Sequence, residues 1–382
     1  MNTPLSFVIY QSASELPENW DTIAKSTIFL QKDYFEILEY SCPSNMKCFF
    51  IGVFQNKELV GVALSQFLDL NKLESFGERD QCLKTIIRNF AFKRFSSHVL
   101  FLGNCMLTGE NAYSFLDFIP YNEQIKVLHE AQNKIEGILK NQGIPIHLRT
   151  SKDFSKAKID EINQTSFGSI FQFTTQPNMI FSIPEHWKKE QDYINALAKK
   201  YRDQYKRARK KGEGVLKRKL SLTEIEQNQE LIYDLYYHVA KNAPFNSFFL
   251  AKNHFSVLKK VWKENFLFYG YFNDEKLIGF NTLIKNGDTM DTYFLGYDDT
   301  IQREKMLYLN MLYDMIAYSI KKEFKTIIFA RTALEIKSSV GAIPETMYGL
   351  MEHKNPILNY FLPHFFYYLE PKTIWKERNP FK

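Results

Sequence analysis

The chain has 382 residues, which at roughly 100–200 residues per domain allows two or three domains. With 45% hydrophobic and 24% charged residues it has the composition of an ordinary globular protein, which excludes disorder and collagen-like structure. The net charge of +6 is too small for a protein that coats nucleic acid over its whole surface. The 34 Phe, 22 Tyr and 4 Trp stand out, and read as core packing first and as the wall of an apolar tunnel second. Cys42, Cys48, Cys82 and Cys105 are too few for a disulfide scaffold and form no CxxC, so no metal site is expected. The first ten residues lack a basic and then apolar leader. The long charge-free stretch between Glu161 and Glu185 is broken by amides and hydroxyls, so no transmembrane segment is expected and the protein reads as cytoplasmic.

In chain order, helices are expected at residues 17–24 and 32–40, then a hairpin over 50–61. A strand follows at 99–103, a long helix at 123–141, a strand at 144–150, and a polar connection over 151–181. Beyond a basic segment at 199–219, the same order returns. Helices are expected at 223–240, where Thr223 and Glu226 read as a capping box, and at 252–264. Then come a hairpin over 268–279, a strand at 293–296, a helix at 305–322 and a strand at 326–332. The aromatic stretch at 360–368 reads as a buried closing strand.

The two hairpins repeat each other. Phe50, Gly52, Phe54, Leu59 and Gly61 recur at a fixed offset of 218 as Phe268, Gly270, Phe272, Leu277 and Gly279. Downstream, Gly103 and Gly296 each end an apolar strand, and Arg149-Thr150 and Arg331-Thr332 each end the strand after the long helix. A duplication follows: an α/β (α+β) fold of two domains, 1–170 and 171–382, each a mixed β-sheet flanked by helices.

This order of elements resembles the GNAT acyltransferase fold, and its duplication resembles the FemAB-like, double-GNAT branch. The resemblance rests on the basic helix from Tyr201 to Gly212, on Leu277 to Phe280, on Tyr293 to Tyr297, on Arg331 to Lys337 with Gly341-Ala342, and on Phe101 to Asn104 with Leu107 to Glu110. It implies an N-acyltransferase that moves an acyl group to an amine, such as that of a cell-envelope precursor or lipid, with the second domain carrying the site. The donor it implies is acyl-CoA or an acyl carrier protein as co-substrate, with no tightly bound cofactor. A FemAB-type transfer of an aminoacyl group from transfer RNA into peptidoglycan, and a GNAT-fold binding module without turnover, are the alternatives. The glycine-rich pyrophosphate loop of a typical GNAT is missing at residues 298–306 and incomplete at 107–112.

Residues 199–219 hold eleven Lys and Arg against Asp203 and Glu213. Arg202, Lys206, Arg207 and Arg209 are expected to contact a phosphorylated donor or an acidic carrier. Arg331, Glu335 and Lys337 follow the last core strand, where α/β sheets present ligand sites, and are expected to bind substrate or donor; an internal Arg331–Glu335 ion pair is the other reading. In the GNAT-like scheme Asp291 is the expected base, and Tyr293 or Tyr297 the acid or positioning hydroxyl. Alternation places Asp291, Tyr293 and Leu295 on one strand face. No HExxH or GxSxG occurs, so direct attack in a ternary complex is expected.

Overall fold

A computed structural model describes residues 4–72, 96–174, 176–242, 246–369 and 375–382, so Cys82 lies outside the described residues. The chain divides into two compact units: Met1–Thr175 with Phe245–Ala251 and Thr346–Lys372, and Gln176–Pro244 with Lys252–Glu345 and Thr373–Lys382.

The first stretch runs β1 (Ser6–Tyr10), α1 (Trp20–Ile23), α2 (Lys32–Ser41), β2 (Met46–Gln55), β3 (Glu58–Asp69), β4 (His98–Leu102), β5 (Tyr113–Phe115), α3 (Tyr121–Asn141), β6 (Leu148–Phe154), α4 (Lys156–Asn163) and β7 (Phe171–Thr174). The second runs β8 (Asn178–Ser182), α5 (Glu190–Ala196), α6 (Lys199–Lys211), β9 (Val215–Lys219), α7 (Leu222–Gln227), α8 (Gln229–Lys241), α9 (His254–Trp262), β10 (Phe266–Asn273), β11 (Lys276–Asn286) and β12 (Thr289–Tyr297). It continues through α10 (Asp299–Lys305), α11 (Leu307–Lys321), β13 (Thr326–Ala330), α12 (Leu334–Ser339) and β14 (Ile343–Glu345). β15 (Tyr348–His353) and α13 (Pro356–Leu369) follow.

One sheet has the order β1-β2-β3-β4-β6-β15-β7, with β5 also on β3; the other has β14-β8-β13-β12-β11-β10-β9. In each, a single parallel pair, β4/β6 or β12/β13, lies among antiparallel neighbours. Both units are thus mixed sheets flanked by helices, the tandem architecture expected. The expected 151–181 connection instead holds the end of β6, α4, β7 and β8. β8 is inserted between β13 and β14, and β15 between β6 and β7. The first sheet thus takes β7 and β15, both beyond residue 170, while β8 stays with the second sheet.

The duplication extends to backbone detail. Each hairpin turns through two residues with positive φ, Asn56-Lys57 (50°, 69°) and Asp274-Glu275 (49°, 67°), as a two-residue turn between right-twisted strands requires. Each has a register shift at the same place, between Val53 and Phe54 and between Tyr271 and Phe272. A Cβ on Gly52 would meet Phe54 and Leu59, and one on Gly270 would meet Phe272 and Leu277, which accounts for three of the five identities. Phe50 stacks on Phe35 of α2 at 4.1 Å, and Phe268 meets Phe255 of α9 at 5.7 Å, edge to face. On the opposite face, α3 buries Val127, Leu128, Ala131, Ile135 and Leu139 against Phe49, Ile51 and Phe67. Likewise α11 buries Met311, Met315 and Ile316 against Leu267, Leu283 and Ile327.

Other expectations need correction. The capping box is Ser221–Glu224, with Ser221 N–H donating to Glu224 Oε2 at 2.8 Å, and the expected 223–240 helix breaks at Asn228 into α7 and α8. Residues 360–368 belong to helix α13: Asn355 Oδ1 accepts from Ile357 and Leu358 N–H, and Pro356 takes the first helical position. Arg149 is the second residue of β6, whereas Arg331 follows the end of β13, so the two Arg-Thr pairs are not equivalent. Gly103 ends β4 with φ +115°, but Gly296 lies inside β12.

Candidate functional site

The second unit opens where its parallel strands part. β12 pairs with β13 only over Thr289–Thr326, Met290–Ile327 and Asp291–Ile328. Beyond Asp291 it stays on β11 as far as the Gly279–Tyr297 pair, while β13 stays on β8. Beyond the carboxyl end of β13 lies a cavity of about 790 Å³. Lys200, Tyr201, Gln204 and Arg207 of α6 form one wall, Met306 and Leu309 at the start of α11 a second, and residues from Thr332 into α12 a third; Trp375 and Arg378 close it. The volume suits a small ligand, and carboxyl ends of parallel strands are where α/β sheets bind one.

The loop between β13 and α12 is strained and clamped. Ala330, Thr332 and Ala333 have φ of 56°, 67° and 47° without being glycine. Lys337 Nζ, 5% exposed, donates to the carbonyls of Phe329 (2.5 Å), Ala330 (3.4 Å) and Arg331 (2.6 Å). Burial pushes its ammonium down to about 7.

The structure distributes the expected site residues widely. Arg207 and Glu335 line the cavity; Arg202, Lys206, Arg209, Arg331, Lys337, Asp291, Tyr293 and Tyr297 are not among its lining residues. Glu335 pairs with Arg378, not with Arg331, and that hydrogen bond holds its carboxyl below the usual range. Arg331 Nε donates to the Gln176 carbonyl at 3.1 Å, and burial lowers its guanidinium to about 10. Arg149, by contrast, pairs with Glu136 and Glu352. Arg209 bridges Asp314 and Glu190, both at 2.7 Å, and lies over the Tyr205 and Tyr313 rings, fastening α6 to α5 and α11. Arg202 is half-buried and Lys206 exposed on α6.

Asp291 is paired with Ile284, on the sheet face that carries Phe280, while its neighbour Met290 belongs to the core under α11. Burial raises its carboxyl to about 7, against a 3.2 Å hydrogen bond from Asn286 Nδ2. The register shift between Asn281 and Leu283 absorbs Tyr293 and Phe294, so Leu295 comes opposite Asn281, whose amide reaches Tyr271 in the α11 core. Asp291, Tyr293 and Leu295 therefore do not share one face. Tyr293 Oη lies 3.0 Å from Nε2 of His254, a fully buried histidine that no sequence motif marks. Tyr297 is half-buried near Tyr308, and burial raises its phenol.

The segments at the two places where a GNAT phosphate loop would lie hold other contacts. After β12, Asp298 caps α10 by accepting from Thr300 N–H at 3.0 Å. In the first unit the Leu107 carbonyl accepts from Lys152 Nζ at 2.7 Å, and Glu110 holds Ser155 N–H and Lys158. Instead, left-handed Met306 breaks the helix and starts α11 with no side-chain cap, directly at the cavity. Among the described residues, no group of three or more His, Cys, Asp or Glu is placed to hold a metal ion, and no helix is long and apolar enough to cross a membrane.

No protein-family model matches this sequence, and no curated protein matches it. Solved structures do match in fold. FemX aligns at TM-score 0.54 and 11% identity over 96% of this chain and 100% of its own. A tandem GNAT protein from the clavulanic acid biosynthesis pathway aligns at 0.51 and 8%, over 92% and 99%. The C-terminal domain of a putative lysylphosphatidylglycerol synthetase from Agrobacterium fabrum aligns at 0.50 and 7%, over 92% and 96%. The chain therefore has a tandem GNAT-like fold. At these identities the likeness is one of fold.

Proposed function

We propose that the protein is an N-acyltransferase whose second unit binds a thioester donor, acyl-CoA or an acyl carrier protein, in the cavity beyond the end of β13. One observation carries this reading: a cavity of about 790 Å³ beyond the end of β13 has Lys200 and Arg207 on one wall and apolar Met306, Leu309, Leu334 and Ile336 on the others. Cations facing an apolar slot suit a donor that is phosphorylated at one end and apolar along its length. The uncapped start of α11 adds the positive end of a helix dipole.

In the transfer, the amine nitrogen attacks the thioester carbonyl, the C–S bond breaks as the C–N bond forms, and the amine proton passes to a base. Glu335, held by Arg378, serves as a charge anchor and not as that base. Asp291 has a protonation range suited to a base at neutral pH, but lies on the sheet face away from α11; Asp291→Asn decides its role, since unchanged turnover removes it. The proposed acceptor is an amine of a cell-envelope precursor or lipid. The fold shared with a putative lysylphosphatidylglycerol synthetase domain supports that choice.

The test is a thermal-shift series of CoA thioesters from acetyl to palmitoyl, with free CoA as control. A ligand at ~100 times its dissociation constant adds about 2.7 kcal/mol, which raises the midpoint by several degrees. A rise that grows with chain length and is lost in Arg207→Ala supports the reading. A flat panel, with no transfer from a carrier protein either, overturns it. A binding module without turnover would give the shift and no acylated amine.

A further inference from the structure

The basic segment is not uniformly available. Of its cations, Arg209 is engaged by Glu190 and Asp314, Lys217 by Asp314, Arg218 by Glu224 and Lys219 by Glu264. The others all lie on α6, and among the described residues none of them is in an ion pair. Helical spacing sorts them into two adjoining stripes. Lys200, Arg207 and Lys211 share the side that meets the cavity, while Lys199, Lys206 and Lys210 face outward, with half-buried Arg202 at their edge and Asp203 as the one acid among them.

We infer that the outward stripe of α6 docks an acidic carrier protein that delivers the acyl thioester into the adjoining cavity. This rests on the thioester-transfer reading above and names its donor. Two observations favour an acidic protein over a nucleic acid. Within residues 199–219 the unpaired charge lies on one 13-residue helix, about 20 Å long at 1.5 Å per residue. The chain outside residues 199–219 carries more acids than bases, so a polyanion longer than that helix would run onto a surface that repels it. The cavity beside the stripe is walled by Met306, Leu309, Leu334, Ile336 and Trp375, which suits a thioester arm and its acyl chain better than a chain of phosphates. In the reaction the carrier's C–S bond breaks, the acceptor's C–N bond forms, and the amine proton ends on the carrier thiol.

The probe is a fluorescein-labelled bacterial acyl carrier protein loaded with decanoate, titrated by anisotropy, with decanoyl-CoA thermal shift run in parallel. The variant is Lys199→Glu/Lys210→Glu, at two exposed positions outside the cavity lining. Docking on α6 predicts that wild type binds the carrier and loses at least tenfold affinity between 50 and about 300 mM salt. The double variant loses at least tenfold at low salt, and its decanoyl-CoA shift stays unchanged. Carrier binding that the charge reversal leaves intact overturns the proposal. So does a labelled transfer RNA that binds through the same lysines when the carrier does not. A decanoyl-CoA shift without any carrier binding overturns the docking and leaves the transfer reading standing. Carrier binding without any acylated amine does the reverse.

Discussion

The two units share a hairpin to the level of its register shift and differ in the strand laid beside it. In the first unit β4 stops at Leu102, opposite Ser65. Residues 103–112 then loop away before β5 takes up the same hairpin edge with Tyr113, Ser114 and Phe115 opposite Ala63, Val62 and Gly61. In the second unit that loop is reduced to the bulge at Tyr293 and Phe294, and one continuous β12 supplies Leu295, Gly296 and Tyr297 opposite Asn281, Phe280 and Gly279. The parallel partners differ accordingly: β4 stays paired with β6 to its last residue, whereas β12 leaves β13 after its third. At the parting, the second unit places Asp291 where the first has Phe101. The same duplicated frame parts one pair earlier in the second unit, and that unit has the cavity with the cations of α6 beside it.

The largest way to break this comparison is at the buried charge. Asp291 has its carboxyl raised from an ordinary 3.8 to about 7, so the folded state binds more protons than the unfolded chain between those values, and stability falls as pH rises through that window. Asp291→Asn should lack this loss. Its stability relative to wild type should climb between pH 4 and 7, by up to about 4 kcal/mol, and level off above. Urea unfolding at a series of pH values reads this directly, and parallel curves would place the carboxyl outside the apolar interior.

Next is the glycine that lets β12 continue. A Cβ on Gly296 would come within 2.5–2.6 Å of the α8 backbone at Leu235 and Tyr236, so Gly296→Ala should cost about 3 kcal/mol. Gly103→Ala, strained only by its φ and a 3.1 Å approach to Ala112, should cost about 1–2 kcal/mol. Equal losses would mean that the two glycines play one role. On α6, Arg209→Ala should cost about 1–2 kcal/mol by removing its ion pairs to Asp314 and Glu190 and its packing on Tyr205 and Tyr313. Arg207→Ala should change stability by less than about 0.5 kcal/mol while weakening donor binding at least tenfold. If both behave alike, the division of this helix into a fastening face and a ligand face fails. The smallest stability effect belongs to the exposed Lys206, whose replacement by Ala should move the unfolding midpoint by under about 0.5 kcal/mol.

Much of the frame was legible because its determinants are local. Two-residue polar turns, strand alternation and the apolar stripe of the long helix after each hairpin depend on neighbours within a few positions. Phe50, Gly52 and Leu59 recur at 268, 270 and 277 because each copy repeats the same packing. The candidate site was legible only in part. The basic helix and the loop after β13 were found, but periodicity could not tell Arg207, which faces the cavity, from Arg209, whose carboxylate partners lie 19 and 105 residues away. Alternation put Leu295 with Asp291 because nothing in the sequence marks the bulge that inserts Phe294.

By itself the sequence determined the duplication, the element order and the concentration of positive charge on one segment, all of which follow from short-range pattern. Only the tertiary structure decided that β15 joins the first sheet, that β12 leaves β13 after Asp291, and which cations of α6 are neutralised. Those outcomes turn on pairings between residues far apart in the chain. Backbone hydrogen bonds and ion pairs at such separations are selected by the packed core as a whole, and a strand's own residues encode which face it buries but not which neighbour it will find.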